Sequence, residues 1–194
     1  MTDRETLQVY ETRAEDYARM APGAPWETLQ AFIAALPEGA SVLDLGCGPG
    51  HDAVHMMEAG LRVEAMDASP AMVEMARQRG VEARQASFDE IAGEDRHDGV
   101  WACFSLLHAP RADMPRHLAA IAGALKPGGR LGLTLKEGQG EARDRLGRFY
   151  TYYEEPELRA LLEQAGLRPD SVTRGRGTGL DGTESPWLCV TAHG

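Results

Sequence analysis

Residues 42–52 read VLDLGCGPGHD. An apolar run of the kind found in a strand buried on both faces carries the acid Asp44 near its end, then breaks into Gly46, Gly48 and Gly50, each two residues from the next. A glycine turn between a strand and a helix is a ligand cradle in open α/β sheets, because ligands sit beyond the carboxyl ends of the strands where the strand order reverses. Spacing and charge decide what it cradles. A dinucleotide site calls for G-x-G-x-x-G, whose last glycine lets the helix pack closely while its N-terminus faces pyrophosphate. Here the spacing is G-x-G-x-G, and a carboxylate buried beside pyrophosphate would repel it, whereas an ammonium or sulfonium group would be attracted. The turn suits a cationic small molecule.

The flanking segments supply the rest of a sheet. Leu7, Tyr10, Ala14 and Tyr17 fall at helical spacing, as do Leu29, Phe32, Ile33 and Leu36, so two helices are expected first, with APGAPW (21–26) punctuating between them. A strand over 41–45 is followed by a helix from about Asp52 to Ala59, closed by Gly60. LRVEAM then leads to Asp67, and Ser69 with Pro70 makes an N-cap followed by proline at the first helical position. VEARQA and HDGVWACF read as strands three and four, and DMPRHLAAIAGAL as a helix ended by Lys126 to Gly129. RLGLTL is a fifth strand, EPELRALLEQAG a further helix, and LRPDSVT and WLCVTAH the last two strands, joined by the glycine-rich RGRGTGLDGTESP as an antiparallel hairpin. Alternating strands and helices imply a mostly parallel sheet with helices on both faces. No internal repeat or linker divides the chain, so one domain is expected over 1–194, with residues 1–38 a helical cap and 39–194 the core.

Composition narrows the partners. Lys plus Arg number 20 against 30 Asp plus Glu, a formal charge of −10, which repels a phosphate backbone and argues against nucleic acid. Cys47, Cys103 and Cys189 lie far outside any zinc or redox spacing, which fits reduced thiols in a cytoplasm and no metal. The charged N-terminus has no apolar stretch, so neither a signal peptide nor a membrane span is expected. No segment is an evident interface, and the chain is expected as a monomer or homodimer.

The order DLGCGPG, an acid in EAMDASPAM 23 residues after Asp44, HDGVWACFSLLH and LKPGGRLGLTL resembles that of the class I S-adenosylmethionine-dependent methyltransferases over nearly the whole chain. The resemblance implies their α/β Rossmann-like sheet of seven strands, order 3-2-1-4-5-7-6 with the last strand antiparallel, and S-adenosylmethionine as cofactor. Position by position, it places Gly46, Cys47, Gly48 and Gly50 against the methionine part of the cofactor, where a Cβ would collide. Asp44 would offset its positive charge, and Asp67, followed by Ala68, would accept hydrogen bonds from both ribose hydroxyls. Met72 would lie on the adenine ring, although it equally fits plain helix core. Cys103 would border the methionine moiety as a packed small residue rather than a nucleophile. Where the family often has Asp or Asn against the adenine amino group, this chain has QASFDE, leaving Ser87, the backbone around Phe88, or Asp89.

The acceptor side is read from what surrounds strand four. Methyl transfer from a sulfonium gains much from holding acceptor and methyl in line with water excluded, so a base is optional. His108 in FSLLHAP is the best-placed candidate for proton transfer, against the reading of a hydrogen-bonded surface histidine. FSLLH is neither the Asn/Asp-Pro-Pro-aromatic turn of the family's nucleic-acid amino methylases nor a Pro-Cys or Thr-Cys nucleophile, which leaves a small molecule as acceptor. Basic residues after strand five suggest a small anion, clamped by Lys136 and Arg148 and covered by Tyr17 and Tyr153, with Arg13 near the closing N-terminal helix; Arg174 and Arg176 add charge from the late loop. Surface ion pairs with Glu141 and Asp144 are the alternative. The expected function is thus methyl transfer to a small, anionic molecule. The competing readings are a thiol-, chalcogen- or tellurite-type detoxifying methyltransferase, and a cofactor-binding regulatory module without turnover.

Overall fold

The computed structural model describes residues 3–20 and 26–194. The punctuation expected at 21–25 lies outside the described residues. In chain order the N-terminal helices are α1 (Arg4–Thr12), α2 (Ala14–Ala18) and α3 (Glu27–Ala34). Asp3 caps α1 by accepting from the Thr6 amide at 2.8 Å. The single helix expected over Leu7 to Tyr17 is in fact two. Arg13 turns to φ −121° and ψ 25°, just after the Thr12 hydroxyl bonds back to the Gln8 carbonyl at 2.9 Å, the local competition that weakens a helix end.

The α/β body follows as β1 (Ser41–Leu45), α4 (His51–Glu58), β2 (Arg62–Asp67), α5 (Pro70–Gln78), β3 (Glu82–Gln85), β4 (His97–Cys103), α6 (Met114–Ala124), β5 (Leu125–Lys136), β6 (Glu141–Arg143), β7 (Phe149–Thr151), α7 (Glu155–Gln164), β8 (Arg168–Thr178) and β9 (Glu184–His193). Ser69 and Pro70 open α5 as their types demand, Ser69 Oγ accepting from the Met72 amide. Seven strands form one sheet in the order β3-β2-β1-β4-β5-β9-β8, the first five parallel and β9 antiparallel to both neighbours. This is the expected order, with β9 and β8 as the seventh and sixth strands of the sheet.

Alternation along the strands sends side chains to two cores. Leu43, Leu45, Val100, Ala102, Leu131, Leu133 and Leu135 pack beneath α6 and α7. Val42, Val63, Ala65 and Trp101 pack beneath α3, α4 and α5. Two tryptophans explain glycines in the strands. Trp101 is the register partner of Gly132, where a Cβ would sit 2.4 Å from the indole, and Trp187 is the partner of Gly175, where it would sit 2.3 Å away. The second pair corrects an expectation: Arg174 to Thr178, read as loop for its glycines, is strand, and the connection shrinks to residues 179–183.

The hairpin β6–β7 was not expected. Asp144 Oδ1 makes its turn by accepting from the amides of Leu146 and Arg148, both at 2.9 Å, with Gly147 at φ +91°. α1 is fastened to this hairpin: Arg143 pairs with Asp3 at 2.7 Å, and the Phe149 amide donates to Thr6 Oγ1 at 2.7 Å. No helix among the described residues is long and apolar enough to cross a membrane. Substituting Gly132→Val forces Trp101 out of a fully buried position and should cost about 1–3 kcal/mol of stability by overpacking. Urea unfolding checks this, and an unchanged midpoint would show that the indole is free to move aside.

Candidate active site

The carboxyl ends of β1, β2, β4 and β5 meet where the strand order reverses, between β1 and β4. Gly46 ends β1 at φ +76°, and a Cβ there would lie 2.3 Å from the Ser105 Cβ, so the turn closes against the loop after β4. Ser105 Oγ donates to the Leu45 carbonyl at 2.6 Å across the same contact. The Gly48 amide donates to Asp67 Oδ2 at 2.9 Å and the Ser69 amide to Oδ1 at 2.8 Å. Gly50 departs from expectation. It heads α4 at φ +83° and lines neither chamber of the site, and a Cβ there would approach Ala76 Cβ and Cα at 3.0 and 3.1 Å. The missing Cβ lets α4 pack against α5.

Two chambers open from this turn. The smaller, of about 90 Å³, is lined by Asp67, Ala68, Met72, Ser87, Phe88 and Asp89 among others. The larger, of about 220 Å³, takes in Asp44, Cys47, Asp52, Cys103, Lys136 and Arg148. Tyr10, Tyr17, Gly46, Gly48, Phe104 and His108 belong to both and form the junction. The structure thus gathers every expected cofactor contact except Gly50. Sequence reasoning overlooked Tyr10, Phe104, Trp187 and Asp52; only Asp52, two residues past the last glycine of the turn, carried a positional signal.

The glycine turn gathers three buried carboxyls. Asp44 is buried and its Oδ2 has no hydrogen-bond partner among the described residues. Burial, together with the charges of Asp52 and Asp67, pushes its carboxyl well above the usual carboxylate range. Asp52 accepts from the Trp101 indole at 2.7 Å, and burial raises its carboxyl too. Burial also raises Asp67, against the hydrogen bonds from the Ser69 and Gly48 amides. Three carboxyls held this close favour a cationic ligand, which would relieve their repulsion and restore their ionised forms. Burial pushes the Cys103 thiol well up, which leaves it a poor nucleophile.

In the smaller chamber the polar groups after β3 are largely committed. The amide and hydroxyl of Ser87 both donate to Glu90 Oε2, at 2.7 and 3.0 Å, and Asp89 pairs with Arg116 at 2.7 Å. Met72 is buried yet lines the chamber, so both readings of it hold together.

The acceptor side brings two corrections. Arg148 lines the larger chamber but is 1% exposed, and its guanidinium is spent: Nε and Nη2 reach Asp144 Oδ2 at 2.9 and 2.7 Å, and Nη1 donates to the Tyr10 hydroxyl at 3.0 Å. The β6–β7 turn puts Asp144 against it, so Arg148 holds Tyr10 rather than standing free as a clamp. Tyr153 is fully buried, lines neither chamber and lies under the Arg111 guanidinium, 4.6 Å from ring centroid to Cζ. Tyr150 takes its place at the wall, with Lys136 Nζ 3.9 Å from its ring centroid. Arg13 pairs with Asp16 at 3.0 Å and lines neither chamber, and Arg174 and Arg176 pair with Glu137 and Glu184.

His108 sits at the junction with both ring nitrogens engaged. Nδ1 lies 2.6 Å from the Phe149 carbonyl, which can only accept, so Nδ1 carries the proton and Nε2 accepts from the Tyr10 hydroxyl at 2.8 Å. Burial, with Arg148 and Lys136 nearby, lowers its pKa to about 4. The ring is neutral at pH 7, and Tyr10 stands on its Nε2.

Comparison with known proteins agrees with this geometry. Residues 42–129 match the family model described as a methyltransferase domain. Over 106 residues the chain is 37% identical to a ubiquinone biosynthesis O-methyltransferase of Xanthomonas axonopodis pv. citri, covering 50% of this chain and 44% of that protein. Over 119 residues it is 35% identical to an S-adenosyl-L-methionine-dependent Diels-Alderase of Talaromyces variabilis, covering 55% and 39%. The chain therefore spans about two fifths of the length of these curated relatives. Among solved structures, the 1,6-didemethyltoxoflavin-N1-methyltransferase of Burkholderia thailandensis, with bound 1,6-didemethyltoxoflavin and S-adenosylhomocysteine, superposes with a TM-score of 0.72 at 26% identity over 96% of this chain and 87% of that one. A methyltransferase from Methanosarcina mazei shares the fold with a TM-score of 0.75 at 18% identity, covering 87% and 97%. With the glycine turn, the acid at the end of β2 and the sheet order already in hand, these likenesses identify residues 42–129 as a methyltransferase domain and support a class I S-adenosylmethionine-dependent methyltransferase.

Proposed function

We propose that this chain is an S-adenosylmethionine-dependent methyltransferase acting on a small molecule that carries a negative charge, and that it works as one unit with α1 and α2 as its cap. The observation that carries the cofactor reading is the buried Asp44 carboxyl beside Asp52 and Asp67 at the glycine turn, its Oδ2 without a hydrogen-bond partner among the described residues. In this reading the adenosine occupies the smaller chamber, its ribose sharing the Asp67 oxygens with the amides of Gly48 and Ser69, while Met72 and Phe88 meet the base. The methionine part lies beside Asp44, Gly46, Cys47 and Cys103 in the larger chamber. When bound, the cofactor supplies an electrophilic methyl group on a sulfonium. The residues of this chain contribute charge balance, exclusion of water by Tyr10 and Tyr17, and alignment of the acceptor.

Lys136 supports the anionic acceptor. Of the chain's two lysines, Lys126 pairs with Asp98 at 2.9 Å, whereas Lys136 has no carboxylate within 4.0 Å among the described residues. Burial, with Arg148 nearby, lowers its pKa, and an acceptor anion would reverse that shift. His108 fits a positioning role, holding Tyr10, better than that of a direct base.

Calorimetric titration with S-adenosylmethionine, S-adenosylhomocysteine and NADH tests the cofactor reading. The first two should bind at micromolar Kd and NADH should not, and Asp67→Ala should weaken S-adenosylhomocysteine by at least about tenfold, the scale of one charge-assisted hydrogen bond. Because one matched relative is named as a Diels-Alderase, methyl transfer needs its own measurement, release of S-adenosylhomocysteine in the presence of acceptor. Binding without release under a broad acceptor set would favour the regulatory reading.

Two further outcomes concern the junction. The folded pKa of His108 lies near 4, below its unfolded value near 6.5, so the unfolded chain takes up the extra proton as pH falls. Its contribution to stability is full above about pH 6.5 and is lost toward pH 4. Urea unfolding across that window should show a shallower pH slope for His108→Gln than for the unsubstituted protein. Arg148→Ala leaves Asp144 buried without its partner and should cost about 3–5 kcal/mol of stability. If it left both stability and acceptor KM unchanged, the account of Arg148 as the holder of Tyr10 would be wrong.

A further inference from the structure

The aromatic side chains are unevenly spread. They make up 6% of the chain, yet half of them, Tyr10, Tyr17, Trp26, Phe104, Tyr150 and Trp187, line the larger chamber. Three of them are fixed both by the core they pack against and by local features at the chamber wall. Phe104 has φ +50°, a left-handed conformation that bulky residues rarely adopt, and it sits where β4 ends, its amide bonded to the Thr134 carbonyl at 3.0 Å. That turn delivers its ring to the junction, edge-on to Trp187 at 6.3 Å and 89°. Trp187 in turn lies flat over Gly175, where any Cβ would push the indole off its seat. Tyr150 carries the Lys136 ammonium 3.9 Å from its ring centroid, a cation–π contact that fixes a charge without neutralising it.

We infer that the methyl acceptor is a planar aromatic molecule bearing a negative charge, its ring held among Phe104, Tyr150 and Trp187 and its charge at Lys136. This deepens the reading proposed above and rests on it. Rigid ring faces and edges in one wall favour a flat π-system, whose stacked and edge-on contacts add to area burial, whereas a saturated ring or a chain gains only the area. Size allows one small ring, since the chamber of about 220 Å³ exceeds the cavity of about 150 Å³ that holds benzene. Charge agrees as well, since Lys136, with no carboxylate within 4.0 Å among the described residues, stands at the aromatic wall, while the carboxyls of Asp44 and Asp52 stand at the glycine turn.

The test is a matched fragment set on protein saturated with S-adenosylhomocysteine, read by ligand-observed NMR and followed by calorimetry. Benzoates and phenolic acids are set against the corresponding benzamides, cyclohexanecarboxylates and cyclohexanecarboxamides. Aromatic anions should supply most hits and bind at least tenfold more tightly than their neutral or saturated counterparts. Lys136→Met should remove the preference for anions, and Trp187→Leu the preference for rings, each leaving the Kd for S-adenosylhomocysteine within twofold. Should Trp187→Leu fail to fold, the comparison of aromatic with saturated anions on the unsubstituted protein decides the ring. Hits spread evenly over the four sets, hits confined to saturated anions, or no hit in any set while S-adenosylhomocysteine binds, overturn the inference. Absence of S-adenosylhomocysteine binding defeats the underlying cofactor reading instead.

Discussion

The bond from the Gly48 amide to the Asp67 carboxylate is the contact on which the site depends. It ties the glycine turn after β1 to the end of β2, and with the Ser69 amide on the other oxygen it fixes a carboxylate at the mouth of the sheet. Each oxygen keeps a lone pair, so the same group can hold the loop and receive a ligand's hydroxyls. Around this anchor, burial of Asp44 and Asp52 builds a concentration of carboxyls that no described side chain neutralises at Asp44 Oδ2. A cationic ligand at that point would compensate the arrangement and favour the ionised carboxyls.

The cap is joined to the site through the β6–β7 hairpin. Asp144 turns the hairpin, engages Arg148, and through it reaches Tyr10 on α1 and then His108. Arg143 and the Phe149 amide fasten the start of α1 to the same hairpin. Apart from the Asp144–Arg148 pair inside the hairpin, each link joins α1 to that hairpin or to the loop after β4, so α1 and the wall of the larger chamber share one polar chain. His108, which looked like a candidate base from its place in the sequence, is one member of that chain, its tautomer set by the Phe149 carbonyl.

Much of the molecule was legible from the chain alone, and the reasons are local. Periodicity and caps located β1 to β5 and helices α4 to α7, because a buried parallel strand must be apolar and a helix must be capped within a few residues of its ends. The glycine spacing and Asp44 set the charge of the ligand, since both act within one turn. The edge hairpin of the two last strands followed from their short connection, and the order of the other strands from the family resemblance. Two features were missed: the split of the first helix at Arg13, where a local back-bond from Thr12 competes with the helix, and the extension of β8 through its glycines, which depends on Trp187 of the facing strand.

The same distinction governs the site. The sequence by itself determined the fold class, the cradle and most of its lining, all carried on strand ends whose order topology dictates. Only the tertiary structure decided that Gly50 packs against Ala76, that Arg148 is consumed by Asp144, that Tyr153 is core while Tyr150 faces the chamber, and that Tyr10 stands on His108. Whether a charged or aromatic side chain is free or spent depends on what lies across the fold within about 4 Å, over which hydrogen bonds and ion pairs act. Spacing along the chain carries no record of that distance.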